Sequence, residues 1–182
     1  MNLKEAVETS QTIYHGHILQ LEKQRVKTPS GRIASREIIH HHPAVALLMI
    51  TADQKMILIK QWRAALQKAT LEIPAGKVDE RDQGNLIHAA HREMNEETRL
   101  QATSLKKIVT LYSSPGFTDE QITLFKATGL SSVREKLPQD QDENLQIIQV
   151  DRDQAFQMVR NGEIDDMKTV TAIYYWMGQE DC

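Results

Sequence analysis

The chain is short of cysteine, of surplus basic charge and of long apolar runs, and each shortage removes a class of protein. Its single cysteine, Cys182, has no partner within the chain, so no disulfide framework can form and a reducing, intracellular setting is expected. Lysine and arginine number 22 against 25 aspartates and glutamates, for a net charge of −3. The basic field that marks nucleic-acid binding is missing. The longest apolar run, AVALLMI from Ala44 to Ile50, is far too short to span a bilayer. The opening MNLKEAVETSQ lacks the basic-then-apolar pattern of a leader. A cytoplasmic protein is expected, with neither nucleic acid nor membrane as partner. Its 182 residues suffice for one domain with a sizeable core, or for such a domain with an appended subdomain.

What is present begins with strands. HILQLEKQRVKT and IASREIIHHH flank the turn residues Pro29 and Gly31 and predict a hairpin. Residues 44–51 and 55–62 are dense apolar runs separated by a short turn, the pattern of strands buried on both faces. LEIPAG ends in turn formers, and residues 86–98 read as a helix. Further strands fit IVTLYS, QITLFKA and LQIIQV, and helices fit DQAFQMVRNG and TVTAIYYWM. The alternation predicts a mixed α/β (α+β) sandwich with the N-terminal hairpin as a separate small sheet. His40, His41 and His42 read as a strand end, since consecutive strand residues face opposite ways and cannot converge on one ion.

The stretch HREMNEET, residues 91–98, poses the main question. With Met94 at zero on a helical wheel of about 100° per residue, Ile87, Ala90 and Thr98 fall within about 40° and predict a core stripe. Glu93, Glu96 and Glu97 fill the next arc, on the shoulder of that stripe, and Glu96 follows Arg92 by one helical turn. Like charges so close oppose folding, and an unpaired charge beside the core is costly. Two readings follow from these residues alone. The carboxylates form either a solvated acidic face or a set of hard oxygen ligands for Mg²⁺ or Mn²⁺.

The surroundings of the helix add a resemblance. Gly76, after Pro74-Ala75, lies upstream of Arg92-Glu93-Met94-Asn95-Glu96-Glu97, and this resembles the Nudix hydrolase signature G-x5-E-x7-R-E-U-x-E-E-x-G-U, with Met94 and Leu100 as aliphatic positions. LEIPAGKVDE, Gln61-Trp62-Arg63, SSPGFTDE and the closing QDQDENLQIIQV…AFQMVRNGEID are similar to the ADP-ribose pyrophosphatase branch. The signature departs in two places. The interval from Gly76 to Arg92 is two residues longer, so the usual glutamate position falls on Asp82 counting forward or on Gly84 counting back. Arg99 stands where the family has glycine, at a position that often turns left-handed.

The resemblance implies a Nudix-type α/β/α sandwich spanning residues 44–182, preceded by a dimerising β subdomain over 1–43. It implies a Mg²⁺-dependent (or Mn²⁺-dependent) pyrophosphohydrolase that converts ADP-ribose to AMP and ribose 5-phosphate. The metal ligands so implied are Glu93, Glu96, Glu97, the main-chain carbonyl of Ala75, and Glu143 of an acidic loop. Glu143 and Glu96 are the implied catalytic carboxylates; Asp142 is a second candidate in the loop, and Gln141 stands where another glutamate is sometimes found. Arg36, Glu37, Arg63, Ser114, Gly116 and Glu120 are the implied substrate contacts. A nucleoside diphosphate compound and a second copy of the chain are the implied partners. Another such compound as substrate, a nucleotide sugar or a dinucleotide, and a binding-only sensor remain alternative readings.

Overall fold

The computed structural model describes residues 2–139 and 144–179. They divide into two compact units, one from residues 1–43 and 112–121, the other from 44–111 and 122–182.

In the first unit, strands β1 (Ala6–His15), β2 (Leu19–Lys27) and β3 (Ile33–His41) form an antiparallel sheet in that order. Gly31 turns left-handed at φ 83° and its N–H closes the β2–β3 turn on the Thr28 carbonyl, a conformation glycine adopts without steric cost. The sheet therefore has three strands rather than the two of the expected hairpin. β1 is exposed along its whole length, so neither face imposes an alternating apolar pattern and VETSQTIY gives no strand signal.

The second unit is built on β4 (Ala44–Met49). β4 runs parallel to β9 (Gln121–Ser132) and antiparallel to β7 (Ala75–Lys77), in a mixed sheet ordered β7-β4-β9-β8 with β8 spanning Leu100–Tyr112. A second, antiparallel sheet is ordered β10 (Gln146–Val150), β5 (Met56–Arg63) and β6 (Lys68–Glu72). β4 is buried on both faces. Val45, Leu47 and Met49 join a cluster with Ala89, Ala90 and Met94 of helix α1 (Leu86–Thr98). Ala46 and Leu48 join the opposite cluster, with Ala155 of α2 (Arg152–Arg160) and Ala172, Ile173 and Trp176 of α3 (Met167–Met177). Helices thus cover both sides of a central strand layer, an α/β/α arrangement. No helix among the described residues is long and apolar enough to cross a membrane.

The turn expected at the end of LEIPAG lies between two strands: β6 ends at Glu72 and β7 starts at Ala75, because Pro74 has no N–H to continue a ladder, while its carbonyl accepts from Leu47 N. β8 begins well before the expected residue 108, because its first half alternates too weakly to be read as a strand.

α1 occupies the predicted residues. The Asn85 side chain accepts from the N–H groups of Ile87 and His88, an N-cap of ordinary kind. Arg99 closes the helix in the left-handed region at φ 62°. Its N–H and guanidinium reach the Asn95 carbonyl, and the guanidinium also reaches the Leu137 carbonyl. Ile87 departs from the expected core stripe: it is 52% exposed. In the first turn Leu86 packs on the core instead, so a wheel centred on Met94 does not name the residue that the first turn buries. Chemical denaturation should therefore separate two substitutions on the same nominal stripe. Met94→Ala is expected to lose about 2–5 kcal/mol, and Ile87→Ala less than about 0.5 kcal/mol.

Candidate active site

The chain turns sharply from β6 into β7 at Pro74-Ala75-Gly76, and the carboxylates of α1 meet this corner. Ala75 N donates to Glu97 Oε2 at 3.0 Å. At Gly76 a β-carbon would lie 2.0 Å from Glu93 Cδ and 2.1 Å from Oε1. A side chain at this position would displace the Glu93 carboxylate from its seat on the corner.

Arg92 organises the rest. Its Nε and Nη2 donate to the two oxygens of Asp82 at 3.0 and 2.7 Å, and Nη2 also donates to the Lys77 carbonyl. Nη1 donates to Glu93 Oε1 at 2.7 Å and to Glu96 Oε2 at 2.8 Å. Arg81 adds a bond from Nη1 to Glu96 Oε1 at 3.1 Å and a paired contact with Asp79. Glu93, Glu96, Glu97 and Arg92 are all less than a tenth exposed, so the carboxylates are buried rather than set on a shoulder. Burial works against the charge of Arg92, yet Asp82, Glu93 and Glu96 hold its pKa above the usual arginine value.

Of the two residues that spacing offered for the signature's first acidic position, Asp82 is the one that Arg92 bonds. It lies at the end of a short 3-10 helix (Glu80–Asp82) whose start Asp79 caps reciprocally with Asp82. The bonds from Arg92 hold the Asp82 carboxyl well below the ordinary range, against its burial. The two additional residues of the interval therefore fall after Asp82, where Gln83 and Gly84 turn left-handed before the Asn85 cap.

Among these named groups the carboxylates Asp79, Asp82, Glu93, Glu96 and Glu97 outnumber the guanidiniums of Arg81 and Arg92, and hard oxygens in that excess fit Mg²⁺ or Mn²⁺. No three histidine, cysteine, aspartate or glutamate side chains among the described residues are already grouped as around a metal ion. Arg92 bridges Glu93 to Glu96 and the Ala75 N–H holds Glu97, so those hydrogen bonds occupy oxygens a cation would share. Glu96 also lines a cavity of about 410 Å³ with Arg81, His88, His91 and Leu137. Gln141, Asp142 and Glu143 lie outside the described residues.

Of the other candidates, Arg63 ends β5 and pairs with Glu72 of β6 through two bonds, at 2.7 and 2.5 Å. Burial raises the Glu72 pKa, but Arg63, Lys168 and Thr70 outweigh it and bring it from 4.5 down to about 2. Sequence reading missed Glu72, because a charged residue inside LEIPAG carries no sign that it is buried.

Arg36, Glu37, Ser114, Gly116 and Glu120 belong to the first unit. Arg36 clasps Glu5 through Nε and Nη2, and Glu37 is exposed opposite Lys23. Ser114 and Glu120 line a cavity of about 290 Å³ with His41 and Phe117, and Gly116 is in the tight turn beside it. His40 and His41 do diverge: His40 Nδ1 meets Asp119 at 2.6 Å, and His41 Nδ1 lies 3.2 Å from Glu120. The Asp119 bond raises the His40 pKa.

The buried Arg92–Asp82 pair yields a stability test. Asp82→Asn leaves Arg92 short of one charge, and removing one partner of a buried pair costs about 3–5 kcal/mol. A depressed carboxyl pKa stabilises the fold above its unfolded value of 3.8 and stops doing so as pH falls through the folded value. The gap between wild type and Asp82→Asn, read from urea melts, should be full at pH 7 and narrow steadily below pH ~4.

Comparison with known proteins places this geometry in a family. The NUDIX domain model matches residues 40–171. An ADP-ribose pyrophosphatase of Bacillus subtilis is 37% identical over 174 residues, covering 96% of this chain and 93% of that protein. A methanol dehydrogenase activator of Bacillus methanolicus is 35% identical over 177 residues, covering 97% and 94%. A crystal structure of an ADP compounds hydrolase superposes with a TM-score of 0.86, covering 97% of this chain and 95% of that one at 19% identity, a likeness of fold. With its family model matched across the Ala75–Gly76 corner and the α1 carboxylates, this chain belongs to the Nudix family.

Proposed function

We propose that the protein is a divalent-metal-dependent pyrophosphohydrolase, a cytoplasmic homodimer that cleaves the diphosphate of ADP-ribose to AMP and ribose 5-phosphate. The observation that carries this reading is the seating of the Glu93 carboxylate over Gly76 beside Glu97 on the Ala75 N–H. The name of the Bacillus subtilis relative supports the substrate. Glu93, Glu96, Glu97, the Ala75 carbonyl and Glu143 would hold Mg²⁺ or Mn²⁺. Bound there, the cation supplies neutralisation of the diphosphate oxygens and acidification of the attacking water.

The chain's own groups do the rest. Arg63 binds the diphosphate, since its planar fork matches phosphate oxygens. Glu143, with Glu96 as the second carboxylate, accepts the proton of the water as its oxygen bonds to phosphorus and the bridging P–O bond breaks. Arg92 keeps the carboxylates of Glu93 and Glu96 aligned through its Nη1 bonds. Arg36, Glu37, Ser114, Gly116 and Glu120 are assigned to the remainder of the substrate.

A second copy is assigned to the first unit's exposed sheet. β1 carries Val7, Ile13 and Tyr14, each at least half exposed, and apolar strand faces of this kind are commonly covered by an isologous partner.

The activity is tested with Mg²⁺ and a panel of ADP-ribose, nucleotide sugars and dinucleoside polyphosphates, with products resolved by anion exchange. ADP-ribose should be turned over best; a nucleotide sugar or dinucleotide in first place would move the reading to another substrate of the same chemistry. Absence of turnover, with binding retained, would leave a binding-only domain. Glu97→Gln should cut kcat by about 10²-fold or more, by analogy with other groups that stabilise developing charge. Glu143→Gln should lower kcat more than it raises KM, while Asp142→Asn changes little. For the dimer, mixing Arg36→Ala chains with Glu93→Gln chains should restore activity above either alone. A fully active monomer in sedimentation at micromolar concentration would contradict it.

A further inference from the structure

Arg63 is held along one edge only. Its Nε and Nη2 donate to Glu72, whereas Nη1 has no partner among the described residues. The registers explain the meeting: Ile59, Gln61 and Arg63 of β5 stand opposite Glu72, Thr70 and Lys68 of β6, and alternate residues share a face. Arg63 therefore reaches back along that face to Glu72.

Glu72 is itself fixed from two further directions. Its Oε1 accepts from Thr70 Oγ1 at 2.6 Å, and its Oε2 accepts from Lys168 Nζ of α3 at 2.5 Å. Lys168 in turn contacts Asp166, the α3 N-cap, at 3.0 Å. The Glu72 side chain is 3% exposed, that of Arg63 41%. A buried carboxylate thus grips one edge of a guanidinium that is itself partly exposed. Glu72, at the end of β6, is three residues before Ala75, whose N–H holds Glu97.

We propose that Glu72 is a positioning residue for anion binding, clamping Arg63 so that its Nη1 edge is presented, already ordered, to a diphosphate of the substrate. This rests on the reading above that the substrate carries a diphosphate. An arginine that is free in the unbound protein loses rotamer freedom when it closes on a phosphate, and that loss subtracts from affinity. A guanidinium gripped through Nε and Nη2 keeps its remaining donors in the fork geometry that phosphate oxygens match. Lys168 takes up part of the Glu72 charge, so the clamp does not cancel the positive field of Arg63.

The test separates position from stability. ADP is titrated calorimetrically into metal-free protein in EDTA, and ADP-ribose kinetics are run with Mg²⁺. The proteins are wild type, Glu72→Gln, Thr70→Val, Arg63→Ala, the double variant Arg63→Ala/Glu72→Gln, and the core variant Ile173→Val as a destabilised control. Glu72→Gln should weaken ADP binding and raise KM about tenfold with kcat changed less than about twofold. Thr70→Val should move both in the same direction by about threefold, and it carries the test if Glu72→Gln does not fold. Once Arg63 is alanine, Glu72→Gln should add less than about twofold, since the two act as one unit. Ile173→Val should lower the Tm and leave ADP affinity alone. Glu72→Gln, or Thr70→Val in its stead, binding ADP as wild type does would overturn the clamp, as would additive losses in the double variant or no ADP binding by wild type. If ADP affinity follows this pattern but ADP-ribose is not hydrolysed, the substrate reading fails and the clamp stands.

Discussion

The guanidinium of Arg92 is the interaction on which the site depends. Five carboxylates surround Arg92, two from the loop before α1 and three from the second half of the helix, all at least partly withdrawn from water. Without a cation among them the helix would carry both like-charge repulsion and the cost of burying ionised groups. Arg92 meets Asp82 with two donors and splits its third nitrogen between Glu93 and Glu96. That arrangement, with Arg81 on Glu96 and Asp79, offsets the charge of a buried acidic cluster. It also sets the cluster's limit, because the same oxygens are then shared between an arginine and a metal.

The backbone is shaped to this demand. Pro74 ends one sheet's strand and lends its carbonyl to Leu47, Ala75 offers its N–H to Glu97, and Gly76 leaves space for the Glu93 carboxylate. β4 lies between the two helix layers and, through β7, carries the corner against α1. Core packing and carboxylate placement are thus one construction: the Met94 face of α1 seats the helix, and the adjacent face brings its glutamates to the turn. A Cβ at Gly76 or a lost contact at Met94 would disturb both together.

Much of this was legible from residue order. The doubly buried strand within 44–51, the helix over 86–98 and the left-handed Arg99 follow from apolar density, helical periodicity and motif spacing. Other features were not, for physical reasons. β1 has no buried face and so no alternation to detect. Ile87 lies on the right angle of the wheel, but in its turn Leu86 is the residue that packs on the core. Spacing alone left Asp82 and Gly84 as rivals, and it could not show that Arg92 bonds Asp82. Glu72 is invisible to pattern reading, because its burial depends on three partners, two from β5 and α3 and one from its own strand. Buried charges are fixed by distant neighbours, and sequence neighbours do not name them.

The account's central claim is that these buried carboxylates constitute a divalent-cation site. The most direct measurement is Mn²⁺ uptake by electron paramagnetic resonance, in which the signal of the free ion falls as protein is added. The wild-type protein should remove roughly one or more ions per chain in the micromolar to millimolar range, and Glu93→Gln/Glu97→Gln should remove far less while keeping the wild-type circular dichroism. Undiminished free Mn²⁺ with wild type, or equal uptake by the folded double variant, would contradict the account.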